Sequence, residues 1–148
     1  MGVVHEYFVL DDDEQAEGLI GSFGDGVLGV EATTELVSLE ALLLGLSPHW
    51  PATKELMDRP DHSVTVAADA EDPADVNVVV SKVADHTTAL IVNATPERLA
   101  AAMDPWSQTE EFAGYLSAGD LAEMMEQVLP LFKQAAAQGQ HVYVRTSC

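Results

Sequence analysis

Leu121, Met124, Met125, Val128, Leu129, Phe132, Ala135 and Ala136 recur at three- and four-residue spacing near the end of the chain. That period lays one apolar stripe along a helix, and such a stripe must be covered by other parts of the protein. Ser117 with Asp120 three residues on marks its start, a capping box with Asp in place of Glu. Pro130 lies inside the run and predicts a kink, and Gly139 is the expected stop. Val142 and Val144, alternating with His141, Tyr143 and Arg145, then predict a strand. The stretch from Asp104 to Arg145 therefore holds the clearest helix and the clearest strand, and the earlier residues read as material that covers them.

The first residues are rich in Val, Tyr and Phe, and Gly2 to Leu10 reads as a strand ending at Asp11, Asp12 and Asp13. These carboxylates suit the N-terminus of a short helix with Ala16, Leu19, Ile20 and Phe23 on one stripe. Val27 to Ala32 is a short extended piece. Thr33 or Thr34 caps a helix over Glu35 to Leu46, with Leu36, Leu39, Leu43 and Leu46 on its core face. Trp50, between loop signals, is expected to fold back over the core. Ser63–Ala68 and Val76–Val80 form a hairpin across the acidic turn Asp69–Asp75, and a helix is expected over Lys82–Asn93. Thr95 and Pro96 open another helix, closed by Asp104 and Pro105, and a short one follows from Thr109 through Tyr115. The order predicts one α+β domain over residues 1–148, with a small mixed sheet that includes both terminal strands. Several helices pack on it, the longest near the C-terminus.

Twenty-five acidic side chains stand against six basic ones, a net charge of −19, so direct binding of nucleic acid is disfavoured and a basic protein partner is the expected one. No apolar run approaches the roughly 18 residues of a membrane span. The N-terminus lacks the basic start of a signal peptide, so no membrane association and a cytoplasmic location are expected. Cys148 is the one cysteine and forms no internal disulfide. His5, His49, His62, His86 and His141 are scattered without metal-ligand spacing, no Ser sits in Gly-x-Ser-x-Gly, and Gly21–Gly26 lacks the Lys of a phosphate cradle. No cofactor is implied. The stripe of Met103, Met124 and Met125 with Phe132 reads as core.

The opening Met1–Phe8, the string Pro105–Phe112 (Pro-Trp-Ser-Gln-Thr-Glu-Glu-Phe) and the last helix leading into a Val-Tyr strand resemble a group of small uncharacterised actinobacterial proteins. More distantly, the element order is similar to the YfbM-like family of bacterial proteins. The resemblance implies an α+β fold and brings no activity, cofactor or site residue.

Two function classes follow. One is a non-enzymatic interaction protein, of which an immunity or inhibitor protein is a concrete form, engaging a basic partner through its acidic surface. The other is a small-molecule-binding or hydrolytic domain. Its expected pocket gathers His5, Tyr7, Trp106, Gln108, Glu110 and Glu111, which combine a base, carboxylates and an aromatic wall. Trp106 has a simpler reading as a core anchor, with Ser107 or Thr109 as a helix cap.

Overall fold

Residue alternation in the two terminal strands sets the two faces of the sheet. The computed structural model describes residues 3–22, 24–112 and 115–148. Strand β1 (Val4–Leu10) pairs antiparallel with the last strand, β5 (His141–Ser147), in the register Tyr7 opposite Val144 and Glu6 opposite Arg145. Two-residue β2 (Val27–Leu28) joins the outer side of β1. The hairpin β3 (Val64–Ala68) and β4 (Val78–Lys82) joins the other side of β5, giving the order β2-β1-β5-β4-β3. Every pairing among the described residues is antiparallel, which corrects the mixed sheet expected from the sequence.

Tyr7, Val142 and Val144 share the face that carries the main core. Helix α6 (Ala118–Gln138) lies there and buries Leu121, Met125, Val128, Phe132 and Ala135. Each large apolar side chain so buried contributes about 2 kcal/mol through removal from water. Its capping box forms as expected, and Gly139 ends it with a left-handed φ of 66°. Pro130 stays inside the helix. Helices α2 (Glu35–Leu43), α4 (Asp85–Asn93) and α5 (Pro96–Ser107) complete this layer, and the short α3 (Ala52–Met57) packs on α2.

On the opposite face, α1 (Asp13–Glu17) covers Val80 and Tyr143 with Ala16. Leu19 and Ile20 join that cluster, while Phe23 lies outside the described residues. Arg145 is buried here, and both of its terminal nitrogens are paired. It donates to the carbonyls of Leu19, Ser22 and Gly24 and to the Glu6 carboxylate at 2.7 Å. Its guanidinium also stacks on Phe8 at 4.9 Å. A buried charge needs such partners, and here they tie the loop after α1 to the sheet.

Several boundaries differ from the sequence reading. Lys82 ends β4 and the following helix begins only at Asp85, because Ser81 and Lys82 pair with Val144 and Tyr143 of β5. Helix α5 continues through Pro105 to Ser107, since a proline in the last turn forfeits one amide bond and the buried Trp106 holds that turn in the core. Ser107 and Thr109 do not start a new helix; their hydroxyls donate back to the carbonyls of Asp104 and Trp106. Thr109 to Phe112 form turns, and Ala113 and Gly114 lie outside the described residues. Helix α2 stops at Leu43, where Gly45 takes a positive φ and Leu46 donates to the Ala41 carbonyl, leaving Leu46 exposed. Trp50 is 62% exposed and covers no core.

Candidate functional site

The segment from Gly29 to Glu35 leaves β2, crosses the end of β1 and starts α2. A Cβ on Gly29 would lie 2.6 Å from the Tyr7 ring, so only glycine passes over it. Tyr7, buried in the core, donates its hydroxyl to the Val30 carbonyl at 2.7 Å. Glu31 turns its carboxylate onto the next residues: Oε1 accepts from the amide and hydroxyl of Thr33, and Oε2 from those of Thr34. Glu35 reaches back, its Oε1 accepting from the Glu31 amide at 2.8 Å. The exchange works like a capping box set one turn earlier, with the acid Glu31, not Thr33 or Thr34, as the side-chain acceptor before the helix. Trp106 closes the arrangement from beneath, its indole N–H donating to the Glu35 carbonyl at 2.9 Å.

Above this segment lies a concavity of about 610 Å³, bounded by Val4, His5, Leu28, Glu31, Glu35, Tyr115, Leu116 and Met124 among others. A second, of about 490 Å³, shares Leu28, Leu116 and Met124 with it and adds Asp120, Glu123 and Glu126 from α6. The two form one groove. Its apolar surface is open to solvent, with Leu28 61% and Tyr115 78% exposed. Five carboxylates line it and no Lys or Arg does. Exposed apolar area of this kind rimmed by charge is the usual mark of an interaction site.

The electrostatics differ from one carboxylate to the next. Burial acts to raise the pKa of Glu31, but the hydrogen bonds from Thr33 and Thr34 outweigh it and hold the group below its ordinary value. Glu35 is pushed up, by burial first and then by the charges of Glu31 and Glu111. His5 is pushed down by burial, partly offset by Glu31, and its Nδ1 lies 2.9 Å from the Thr146 hydroxyl. The groove thus sets an imidazole whose charging burial disfavours beside a carboxylate, Glu35, that burial and its acidic neighbours push up.

The six residues expected to form a pocket do not converge on one surface. His5 lines the groove. Glu111 borders it closely enough for its charge to act on Glu35, while accepting from Ser38 at 3.4 Å. Tyr7 and Trp106 are buried below and touch the groove only through the backbone they hold. Gln108 is exposed at the end of α5, and Glu110 turns away to His49 at 3.1 Å. The sequence reading missed Glu31, Glu35, Leu28, Tyr115 and Met124. The run Glu31-x-Thr33-Thr34-Glu35 carried the signal for the first two, since an acid before two threonines and four residues before a second acid can cap reciprocally. Met124 sat in the expected core stripe, yet it stands at the edge of that stripe and faces the groove, whereas Met103 and Met125 are buried.

Two other polar clusters serve packing. Buried Glu40 on α2 pairs with Arg59 at 2.6 Å, with His86 at 3.1 Å and with the Thr87 hydroxyl, tying α4 and the loop after α3 to α2. His141 pairs with Asp85 at 2.7 Å across the start of α4.

Comparison of the chain with protein-family models, with curated proteins and with solved structures finds no match in any of the three. Among the described residues no helix is long and apolar enough to cross a membrane. The functional reading therefore rests on the groove itself.

Proposed function

We propose that this is a non-enzymatic interaction protein that receives a basic segment of a partner protein in the groove, an immunity or inhibitor protein being one concrete form. The observation that carries this reading is the groove's composition: exposed Leu28 and Tyr115 and half-buried Met124, surrounded by five carboxylates without a Lys or Arg among the lining residues. The rest of the molecule supports it. Arg145 and Arg59 are consumed by Glu6 and Glu40, and Arg98 donates to the Leu43 carbonyl. Lys54 is paired with Asp58. The net charge of −19 is thus presented with little cationic relief, which steers a basic partner inward and repels nucleic acid. Burial of the apolar floor would then supply the part of the affinity that salt does not screen.

The test is affinity capture from the native lysate at low and moderate salt, run beside a variant with Glu123→Lys and Glu126→Lys. The reading expects one basic protein in stoichiometric amount with the wild type, depleted by salt and lost with the variant. Equal capture by both forms would contradict it.

One observation favours a second reading, a small-molecule or hydrolytic site. His5, kept neutral by burial, and Glu35, with a raised pKa, line one concavity, the pattern of a base and an acid set apart by environment. It is centred on His5 and Glu35, since Tyr7 and Trp106 are packed away. A ligand screen by thermal shift would support it if hits vanish in both His5→Gln and Glu35→Gln.

A further inference from the structure

The inner end of the groove is more specialised than its rim. Glu31 and Glu35 meet there, half-buried, and Glu111 adds its charge from the side. Both oxygens of Glu31 are occupied by Thr33 and Thr34, whereas only Oε1 of Glu35 has a hydrogen-bond partner among the described residues. Among the described residues no Lys or Arg lines this end. Carboxylates drawn together in a partly dry site repel, and the burial that separates them from water strengthens that repulsion. A cation brought by a ligand would relieve it. The walls next to Glu35 are apolar: Leu28, Val30 and Met124, with the exposed ring of Tyr115 at the mouth. A charged head beyond an aliphatic stem matches this arrangement of an acid behind apolar walls, and the Tyr115 face suits a guanidinium.

We infer that the inner end of the groove is an anchor site for one arginine or lysine side chain of the partner, its stem on Leu28 and Met124 and its cationic head at Glu35. The inference rests on the proposed reading of the groove as the site for a basic partner, and adds to it which carboxylate reads the anchor. The rim acids Asp120, Glu123 and Glu126 then supply attraction without selecting a position. Glu31 holds Glu35 in place through the bond from its amide and contributes negative potential.

The probe is a synthetic peptide of alternating leucine and arginine, compared by calorimetry with the same peptide carrying citrulline, the neutral isostere, at each arginine. The anchor site expects the arginine peptide to bind the wild type more tightly and to lose about tenfold in affinity with Glu35→Gln, the size of a charge-assisted hydrogen bond to a part-buried carboxylate. The citrulline peptide should be indifferent to that substitution, and Glu97→Gln on distant α5 should change neither. Unaltered far-ultraviolet circular dichroism and thermal midpoint would establish that Glu35→Gln folds. If Glu35→Gln leaves the arginine peptide unaffected while Glu123→Gln with Glu126→Gln weakens it, the anchor is overturned and the rim reading stands. If arginine and citrulline peptides bind alike, both are overturned.

Discussion

Tyr7 and Trp106 reach the start of α2 from below, and each satisfies one backbone carbonyl that would otherwise be poorly hydrated, at Val30 and at Glu35. Removing a donor from a buried pair leaves the acceptor unpaired, which costs more than the bond itself contributes. Tyr7→Phe should therefore lower stability by about 1–2 kcal/mol in urea denaturation, with no change in the apolar packing of the ring. The titrating residues give a second expectation. Burial lowers the pKa of both His5 and His62, so the folded protein binds a proton at these rings less readily than the unfolded chain. The sign follows: above the unfolded value of about 6.5 both states are neutral and nothing is lost. As pH falls below it, the unfolded chain takes up protons first and stability declines until the folded value is passed. Urea midpoints at pH 7.5 and pH 5.5 should show this decline, and His5→Gln should make it shallower.

At the scale of elements, α6 and β5 were the parts most legible in the sequence. A 3.6-residue stripe, a Ser117–Asp120 box and Gly139 each state their role in local chemistry, and all three are realised. Gly139→Ala should cost about 1 kcal/mol, because φ of 66° strains any residue with a Cβ. A thermal melt with unchanged helix content would check it. What the sequence left ambiguous was decided by pairing over long separations. Lys82 belongs to β4 because β5, some sixty residues on, offers it a partner in Tyr143. Pro105 looked like a stop, yet the core's demand for Trp106 carries α5 past it. The candidate site was half legible for the same reason. Four of the residues singled out in the sequence (His5, Tyr7, Trp106 and Glu111) do gather at one place, but the passage of Gly29 and Val30 over Tyr7 and the packing of the last turn of α5 leave Tyr7 and Trp106 buried beneath it. Nothing local in Glu110 announced its pairing with His49.

For the whole molecule, charge dominates. Twenty-five acids on 148 residues repel one another in the folded state more than in the expanded chain. Moderate sodium chloride should accordingly raise the urea midpoint, while it weakens binding of any basic partner; the two effects move in opposite directions with the same salt. That opposition separates general self-repulsion from recognition in the groove. The most direct measurement of the groove's role uses the methionine methyl groups as reporters, because Met124 lines it and Met57 sits on α3, outside the residues that line it. With methyl-labelled methionine, titration with the leucine–arginine peptide should shift the Met124 resonance strongly and leave Met57 in place, and added salt should return Met124 toward its free position. A shift at Met57 without one at Met124, or no saturable shift at either, would contradict the account.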